Sequence, residues 1–501
     1  MLRNLLVVSL LALTFGYAQP QGELIVALSS DPTSLFLPRA ADRIASNAAW
    51  SLYDSLLWID DSGEIVPALA ESWEVSEDGL SFTFKLRQGV KFHNGEDFTA
   101  ESVVATWETG KDPKNDYADI YARVASVEVV DDYTVTMTNA TTNPVFLTEI
   151  ASDWAMVPPA YIREVGIDEF ANNPVGTGPF KFVERVSGDR IVMEANPDYW
   201  EEGLPKVATL VYRVIPDSAT RLAAIQTGEI HIANRLTADE VTTLEGSSEV
   251  QVVTYPNDRV YYVGFKNIGN GVDTPIIDTK VRQAFNYAVN SQGIVDAIFS
   301  GQANTIAGFV VASNLGYDDS IQPYPYDPEK AKALLAEAGY ADGFQIGMGC
   351  PADGYVNINE VCLAIQRDLG AVGVEVNLEF KTTNTFWSED RYGAVGPMYV
   401  DSWSSEIGEA LPRLQGAMIP GNTYNTWEDP EMTALIEKIA ATVDTEERGK
   451  LYAELQKMMY DDPPFIYLYQ PNIFEAIRTG VEGYSPRAAE EYYLKTVSIS
   501  E

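Results

Sequence analysis

Segments with strand character and segments with helix character alternate along the whole chain, and no Gly/Ser-rich linker separates them. This alternation constrains the fold most: it requires a mixed α/β class in which sheets and helices share cores. It also speaks against a row of independent beads, so the chain is expected to cross between lobes more than once. Period-two patterning marks strands at Ser81–Leu86, Thr134–Thr138 and Arg190–Ala195, and further strands are expected at Glu23–Leu28 and Val374–Phe380. Helices are expected at Thr99–Trp107, at Asp217–Gln226 with Asp217 as N-cap, and over one long amphipathic stretch, Lys280–Phe299. Asp327-Pro328 starts another helix, with Asp as cap and Pro at the first helical position, and Gly339 sits just past its end. Val356–Leu369, Pro430–Thr442 and Thr445–Tyr460 complete the helical set.

With 501 residues the chain has length for about two to four domains. Its 46% hydrophobic and 21% charged content is that of an ordinary globular protein. A net charge of −39 repels phosphate backbones and anionic lipid, which excludes nucleic acid as a partner and disfavours membrane surfaces. The two histidines, His93 and His231, cannot supply an HExxH site or a His-rich cage, and a Ser-His-Asp triad would have to use one of them. G-x-S-x-G, Walker A and G-x-G-x-x-G patterns are absent. No metal and no cofactor are expected.

The N-terminus reads as an export signal. Arg3 precedes an apolar run from Leu5 to Ala12 that continues more weakly to Tyr17, and small residues offer cleavage after Ala18. The run is too short for a comfortable membrane span, and no later stretch is apolar for long enough. No cysteine lies near this site to carry a lipid anchor, so a soluble, periplasmic or secreted protein is expected. Cys350 and Cys362, twelve positions apart, are expected to form a disulfide there, worth roughly 3 kcal/mol on the chain-entropy model. Two buried free thiols are the alternative.

A more specific signal begins at Ala70-Glu71-Ser72-Trp73, continues through Asp78-Gly79-Leu80 and Phe82–Arg87, and runs into Gly89-Val90-Lys91-Phe92-His93-Asn94-Gly95 and Phe98–Val103. In the same order follow Asn173-Pro174-Val175-Gly176-Thr177-Gly178-Pro179-Phe180, Asn196–Trp200, Arg221–Glu229, Val281–Phe285 and Tyr326–Ala331. This series resembles the dipeptide/oligopeptide/nickel class, family 5, of extracellular solute-binding proteins that serve ABC importers. Most of these motifs have a structural reading. Phe82, Phe84 and Leu86 read as core, His93 as a turn residue, and Gly176–Pro179 as a tight crossing rather than a phosphate cradle.

The resemblance implies a periplasmic-binding-protein-like clam of two lobes with an extra third domain. Residues 19–46, 175–256 and 469–501 would form lobe I, 47–174 the extra domain II, and 257–468 lobe III. It also implies ligand contacts. In peptide-binding relatives a Trp-x-x-Asp stretch takes the ligand's ammonium; Trp403-Ser404-Ser405-Glu406 matches it with Glu in place of Asp. Glu406 as a solvated loop carboxylate is the structural alternative. Tyr467 and Tyr469 resemble hinge-proximal tyrosines and, at period two, are expected to share a face. Arg413 would pair a ligand carboxylate, and Tyr53 and Trp107 are candidates on the extra domain. The implied function is capture of a small solute, foremost a short peptide, by a monomer that delivers it to a membrane permease without chemistry. An oligosaccharide, opine or metal chelate remains open as the solute, and an exported carboxylate-dependent hydrolase is the reading from another class.

Overall fold

The computed structural model describes residues 19–40, 43–60, 64–115, 117–352, 355–381, 396–404, 408–422, 424–487 and 490–500. The expected signal peptide (1–18), Ser405 and Glu406 lie outside these residues.

Local signals become elements with little displacement. The strand Ser81–Leu86 buries Phe82, Phe84 and Leu86 and turns Lys85 to solvent, as its alternation requires. Asp217 caps the helix Ser218–Thr227 by accepting from the Thr220 N–H at 2.8 Å, and Asp327 caps Pro328–Glu337 through the Lys330 N–H at 2.9 Å. The stretch Lys280–Phe299 departs from expectation. It is two helices, Thr279–Ala288 and Ser291–Ile298, with Val289 extended between them. Asn290 causes the break: its side chain accepts from the Gly293 N–H at 2.8 Å and starts a new helix where continuous amphipathicity suggested one.

The strand Phe465–Arg478, 14 residues long, organises the molecule. Its first half pairs antiparallel with Val260–Phe265, which continues through Met398–Trp403, Phe344–Pro351 and Val374–Lys381. Its second half pairs antiparallel with Val250–Pro256 and Ile232–Ala233, and the latter leads through Glu23–Leu28 and Thr209–Val214 to Arg190–Ala195 and Phe180–Val186. One strand thus belongs to two half-sheets with separate cores. The first half-sheet is covered by helices such as Ile358–Gly370, with Phe265, Phe285, Ile365 and Leu369 fully buried. The second carries Leu24, Val26, Leu210 and Tyr212 on one side and Ala27, Ile225 and Ala476 on the other.

A third core belongs to a four-stranded antiparallel sheet, Ala70–Val75, Ser81–Leu86, Thr134–Asn139 and Val124–Asp131, backed by the helix Ala100–Gly110. Its chain returns through Gly176 and Gly178. A Cβ at Gly176 would stand 2.0 Å from the Leu52 carbonyl oxygen, and one at Gly178 would stand 2.4 Å from the Leu52 carbonyl carbon. These positions therefore need glycine for close approach. His93 clamps the crossing: its N–H donates to the Gly176 carbonyl (2.8 Å), Nδ1 accepts from the Gly176 N–H (3.2 Å), and Nε2 lies 3.0 Å from the Gly178 carbonyl. Both contacts are satisfied when Nε2 carries the proton and the ring is neutral, and burial lowers its pKa to about 4.

The expected disulfide is not formed. Cys350 on the strand Phe344–Pro351 and Cys362 on the helix Ile358–Gly370 are free, fully buried thiols. They share a hydrogen bond, and burial pushes the Cys362 thiol far above its usual range. Among the described residues, no helix is long and apolar enough to cross a membrane.

Candidate functional site

The two half-sheets are joined at two neighbouring places. Asn257-Asp258-Arg259 connects the strands Val250–Pro256 and Val260–Phe265, and Gln470-Pro471-Asn472 carries the long strand across. The Asn257 N–H donates to the Pro471 carbonyl at 2.9 Å, tying the crossings together. Above them lies a cavity of about 650 Å3. Arg235, Leu236, Asp239, Phe474 and Glu490 line it from one side, and Arg259, Tyr261, Phe299, Tyr355 and Ser404 from the other. Its walls therefore come from both cores, at the size and depth typical of small-ligand sites.

The second wall is aromatic. Tyr261 stacks on Tyr469 with centroids 4.8 Å apart and planes at 12°, while Phe299 packs on Tyr469 at 4.7 Å and Tyr355 meets Tyr261 edge-on at 5.7 Å. The Tyr469 hydroxyl is buried without a hydrogen-bond partner among the described residues. Such a donor at a cavity wall can be satisfied by a ligand acceptor.

Charge is distributed unevenly. The Arg259 guanidinium donates to the Ser402 hydroxyl at 2.9 Å and the Ser404 hydroxyl at 3.3 Å, and no carboxylate among the described residues pairs with it. Arg235 is already matched, since its Nε donates to Glu490 at 2.8 Å and Asn257 donates to the same carboxylate at 3.0 Å. Behind this wall Glu475 is 1% exposed, accepts from the Tyr484 hydroxyl at 3.0 Å, and is pushed up to about 8, chiefly by burial. Burial thus favours its protonated, neutral form. The Glu409 carboxylate accepts from Arg448 at 2.6 Å and from the Tyr452 hydroxyl at 2.8 Å.

Of the residues singled out in the sequence, Ser404 and Tyr469 line the cavity. Trp403 is half-buried against the core of the first half-sheet: it meets Tyr424 edge-on at 5.2 Å, and a Cβ on Gly416 would lie 2.2 Å from its ring. Tyr467 does not share the face of Tyr469. A register shift between Tyr261 and Tyr262 pairs Tyr469 with Tyr261 but Tyr467 with Tyr262, and the Tyr467 hydroxyl donates to the Met459 carbonyl at 2.9 Å. Arg413 is fully buried and is not part of the cavity wall. Its Nη2 donates to Asn314 at 3.3 Å, Nε and Nη1 have no partner among the described residues, and burial lowers its pKa to about 10.

Tyr53 and Trp107 are away from the cavity. Tyr53 is fully buried with its hydroxyl on the Leu35 carbonyl at 3.1 Å. The Trp107 indole N–H donates to the carbonyls of Tyr121 and Val124 at 3.1 and 3.2 Å, inside the four-stranded unit. Conversely, Arg259, Asp239, Tyr261 and Tyr355 line the cavity without having been singled out. One local signal pointed to Arg259: a polar triplet, Asn257-Asp258-Arg259, directly before the fully buried strand Val260–Phe265. Among the described residues, no group of His, Cys, Asp or Glu could hold a metal ion.

Known proteins share this architecture. Residues 64–425 match the family model described as bacterial extracellular solute-binding proteins, family 5 (middle). The glutathione-binding protein GsiB of Pectobacterium atrosepticum is 30% identical over 473 residues, covering 92% of this chain and 91% of that protein. The structure of HbpA2 from Haemophilus parasuis superposes with a TM-score of 0.86 at 27% identity, over 96% of this chain and 100% of the other. DppA from Helicobacter pylori, a periplasmic binding protein associated with an ABC transporter and solved in complex with the peptide STSA, superposes at 0.81 with 26% identity, over 96% and 98%. A family match over most of the chain, together with a cavity between two half-sheets that share one strand, leads to a single conclusion: the chain belongs to the bacterial extracellular solute-binding proteins of family 5.

Proposed function

We propose that this protein captures a short peptide in the cleft between its two half-sheets and delivers it, chemically unchanged, to an ABC permease. The observation that carries the reading is the cavity itself, walled from both sides and floored by the two crossings. A ligand touching both walls stabilises the form in which they are close, and an empty cleft favours opening about the crossings. Residues 19–46, 175–256 and 469–501 serve as one lobe, 257–468 as the other, and 47–174 as the additional domain. The relatives support a peptide: one is named for glutathione, a tripeptide, and another was solved with a tetrapeptide. The Tyr469 hydroxyl and the aromatic wall suit a backbone carbonyl and apolar side chains. We further propose that residues 1–18 are removed on export and that the mature protein acts as a monomer.

Isothermal titration calorimetry of the purified protein against glutathione and a defined set of di- to tetrapeptides tests this reading, combined with mass spectrometry of the peptide after incubation. Expected are saturable one-to-one binding, a smaller radius of gyration in solution scattering, and intact peptide. Catalytic consumption of the peptide, or no binding to any member of the set, overturns it.

A further inference from the structure

The four-stranded unit meets the two half-sheets in different ways. Towards the second half-sheet the contact is buried and polar. Asp54, 0% exposed, accepts from Thr177 at 3.0 Å and from Tyr199 and Trp200 at 2.9 Å each, and the Ser51 and Tyr212 hydroxyls meet at 2.8 Å. Towards the first half-sheet the contact is thin and apolar. Val145 is buried and joins the core of the first half-sheet, whereas the adjacent Phe146 belongs to the core of the four-stranded unit. In the turn between the strands Ala70–Val75 and Ser81–Leu86, Gly79 lies against Val443: a Cβ at Gly79 would stand 3.0 Å from the Val443 Cγ2. In the loop that leads to Val145, Thr141 and Thr142 form one face of a cavity of about 320 Å3, and Gln415, Ile419 and Ala441 form the other. Among the described residues, no hydrogen bond or ion pair joins Gly79, Thr141 or Thr142 to the facing helices Leu411–Met418 and Pro430–Ala441.

We propose that this seam is a latch: a contact outside the ligand cavity that holds part of the unliganded population closed and so sets the affinity for every ligand alike. The inference rests on the reading of the cleft as one that opens about its two crossings. In that motion the buried polar contacts carry the four-stranded unit along with the second half-sheet, and the seam to the first half-sheet has to part. Parting it is a small step, because few apolar side chains meet there and no buried polar group loses a partner. Its strength nevertheless matters. A ligand that needs the closed form binds with an apparent affinity reduced by the fraction of molecules that are closed. Val145 and Val443 are not part of the ligand cavity wall, so the seam acts on the opening equilibrium without touching the ligand.

Two substitutions push the latch in opposite directions. Val443 is 48% exposed, and Val443→Glu sets a carboxylate against a turn that already carries Glu77 and Asp78, which should part the seam. Ala441→Leu places apolar volume in the seam cavity and should tighten it. The readouts are small-angle scattering of the ligand-free protein and calorimetric titration with two probes, glutathione and trialanine. Val443→Glu is expected to enlarge the ligand-free radius of gyration and to weaken both peptides by the same factor, about fivefold; Ala441→Leu should tighten both by about threefold without enlarging the protein. Near-ultraviolet circular dichroism equal to wild type shows that each variant is folded, and a gain of affinity in the leucine variant cannot come from misfolding. If the wild type binds and contracts but both variants keep its affinities, the latch is overturned while the peptide reading stands. A change confined to one of the two peptides also overturns it, since the effect would then run through ligand contacts. If the wild type binds neither peptide while Val443→Glu still enlarges the ligand-free protein, the latch stands and the peptide reading falls.

Discussion

Tyr261 and Tyr469 stack face to face, 4.8 Å apart and 12° from parallel, on adjacent strands where the long strand Phe465–Arg478 enters the crossing between half-sheets. The stack is 8% and 1% exposed and forms part of the cleft wall. Structural packing and the proposed ligand contact therefore fall on one residue, and two substitutions separate them. Tyr469→Phe keeps the stack and removes only the unpartnered hydroxyl, so it should leave stability within about 1 kcal/mol while weakening peptide binding roughly tenfold. Tyr469→Ala should cost about 3 kcal/mol of stability as well. Denaturant melts and calorimetric titration of both variants check this. Unchanged affinity in the phenylalanine variant would remove the hydroxyl from ligand recognition.

His93 makes the crossing through Gly176 and Gly178 sensitive to acid. Its folded pKa of about 4 lies below the ordinary 6.5, so the neutral ring is the form the fold binds. The corresponding stability is fully present above pH 6.5 and is lost as the pH falls from there towards 4, on the order of 3 kcal/mol in all. His93→Gln, which cannot titrate, is expected to be less stable than wild type at pH 7 and to show a shallower decline between pH 6.5 and 4. Parallel declines in the two proteins would count against this role.

Glu475 works in the opposite sense. Its folded pKa of about 8 lies above the ordinary 4.5, so the native state holds a proton that the unfolded chain has released at neutral pH. Stability from this group is lost as the pH rises from 4.5 through 8. Glu475→Gln keeps the carbonyl that accepts from Tyr484 and removes the ionisation. It should be within about 1 kcal/mol of wild type at pH 5 and stabilising by on the order of 4 kcal/mol at pH 8.5, read from chemical denaturation at the two values. A variant equally stable to wild type at both would show that Glu475 is ionised without penalty.

Cys350 and Cys362 are 0% exposed and unbonded. Native protein prepared without reductant is therefore expected to be inert to a bulky thiol reagent, and protein unfolded in denaturant should titrate two thiols per chain. Finding none after unfolding would establish that the pair closes into a disulfide in the exported protein.

How much of this was legible in the chain follows from the range of each interaction. Strand alternation at Ser81–Leu86 and the Asp caps before Thr220 and Lys330 depend on residues a few positions apart, so local pattern was sufficient. The misread stretch Lys280–Phe299 shows the boundary: amphipathic spacing continued across Asn290, and a cap's hydrogen bond to Gly293 ended one helix and began another. Tyr467 and Tyr469 went astray because period two assumes a regular strand, and a register shift opposite Tyr261 breaks that regularity. The ordered motifs carried the family and the two-lobed fold.

The cleft itself had no such signature. Arg259 is marked only by the polar triplet before a buried strand, and Asp239, Tyr355 and Glu490 are scattered along the chain, each looking in sequence like an ordinary surface residue. A charge acquires a role when its partner is missing, and whether a partner is present depends on which distant segments fold beside it. The sequence by itself determined the mixed α/β class, the element starts and the family. Tertiary structure alone decided that one strand joins two half-sheets, that Arg235 is neutralised by Glu490 while Arg259 pairs with no carboxylate among the described residues, and that Tyr53, Trp107 and Arg413 are not part of the cavity wall. The physical reason is that burial and charge pairing are set by contacts between segments hundreds of residues apart, which no local pattern encodes.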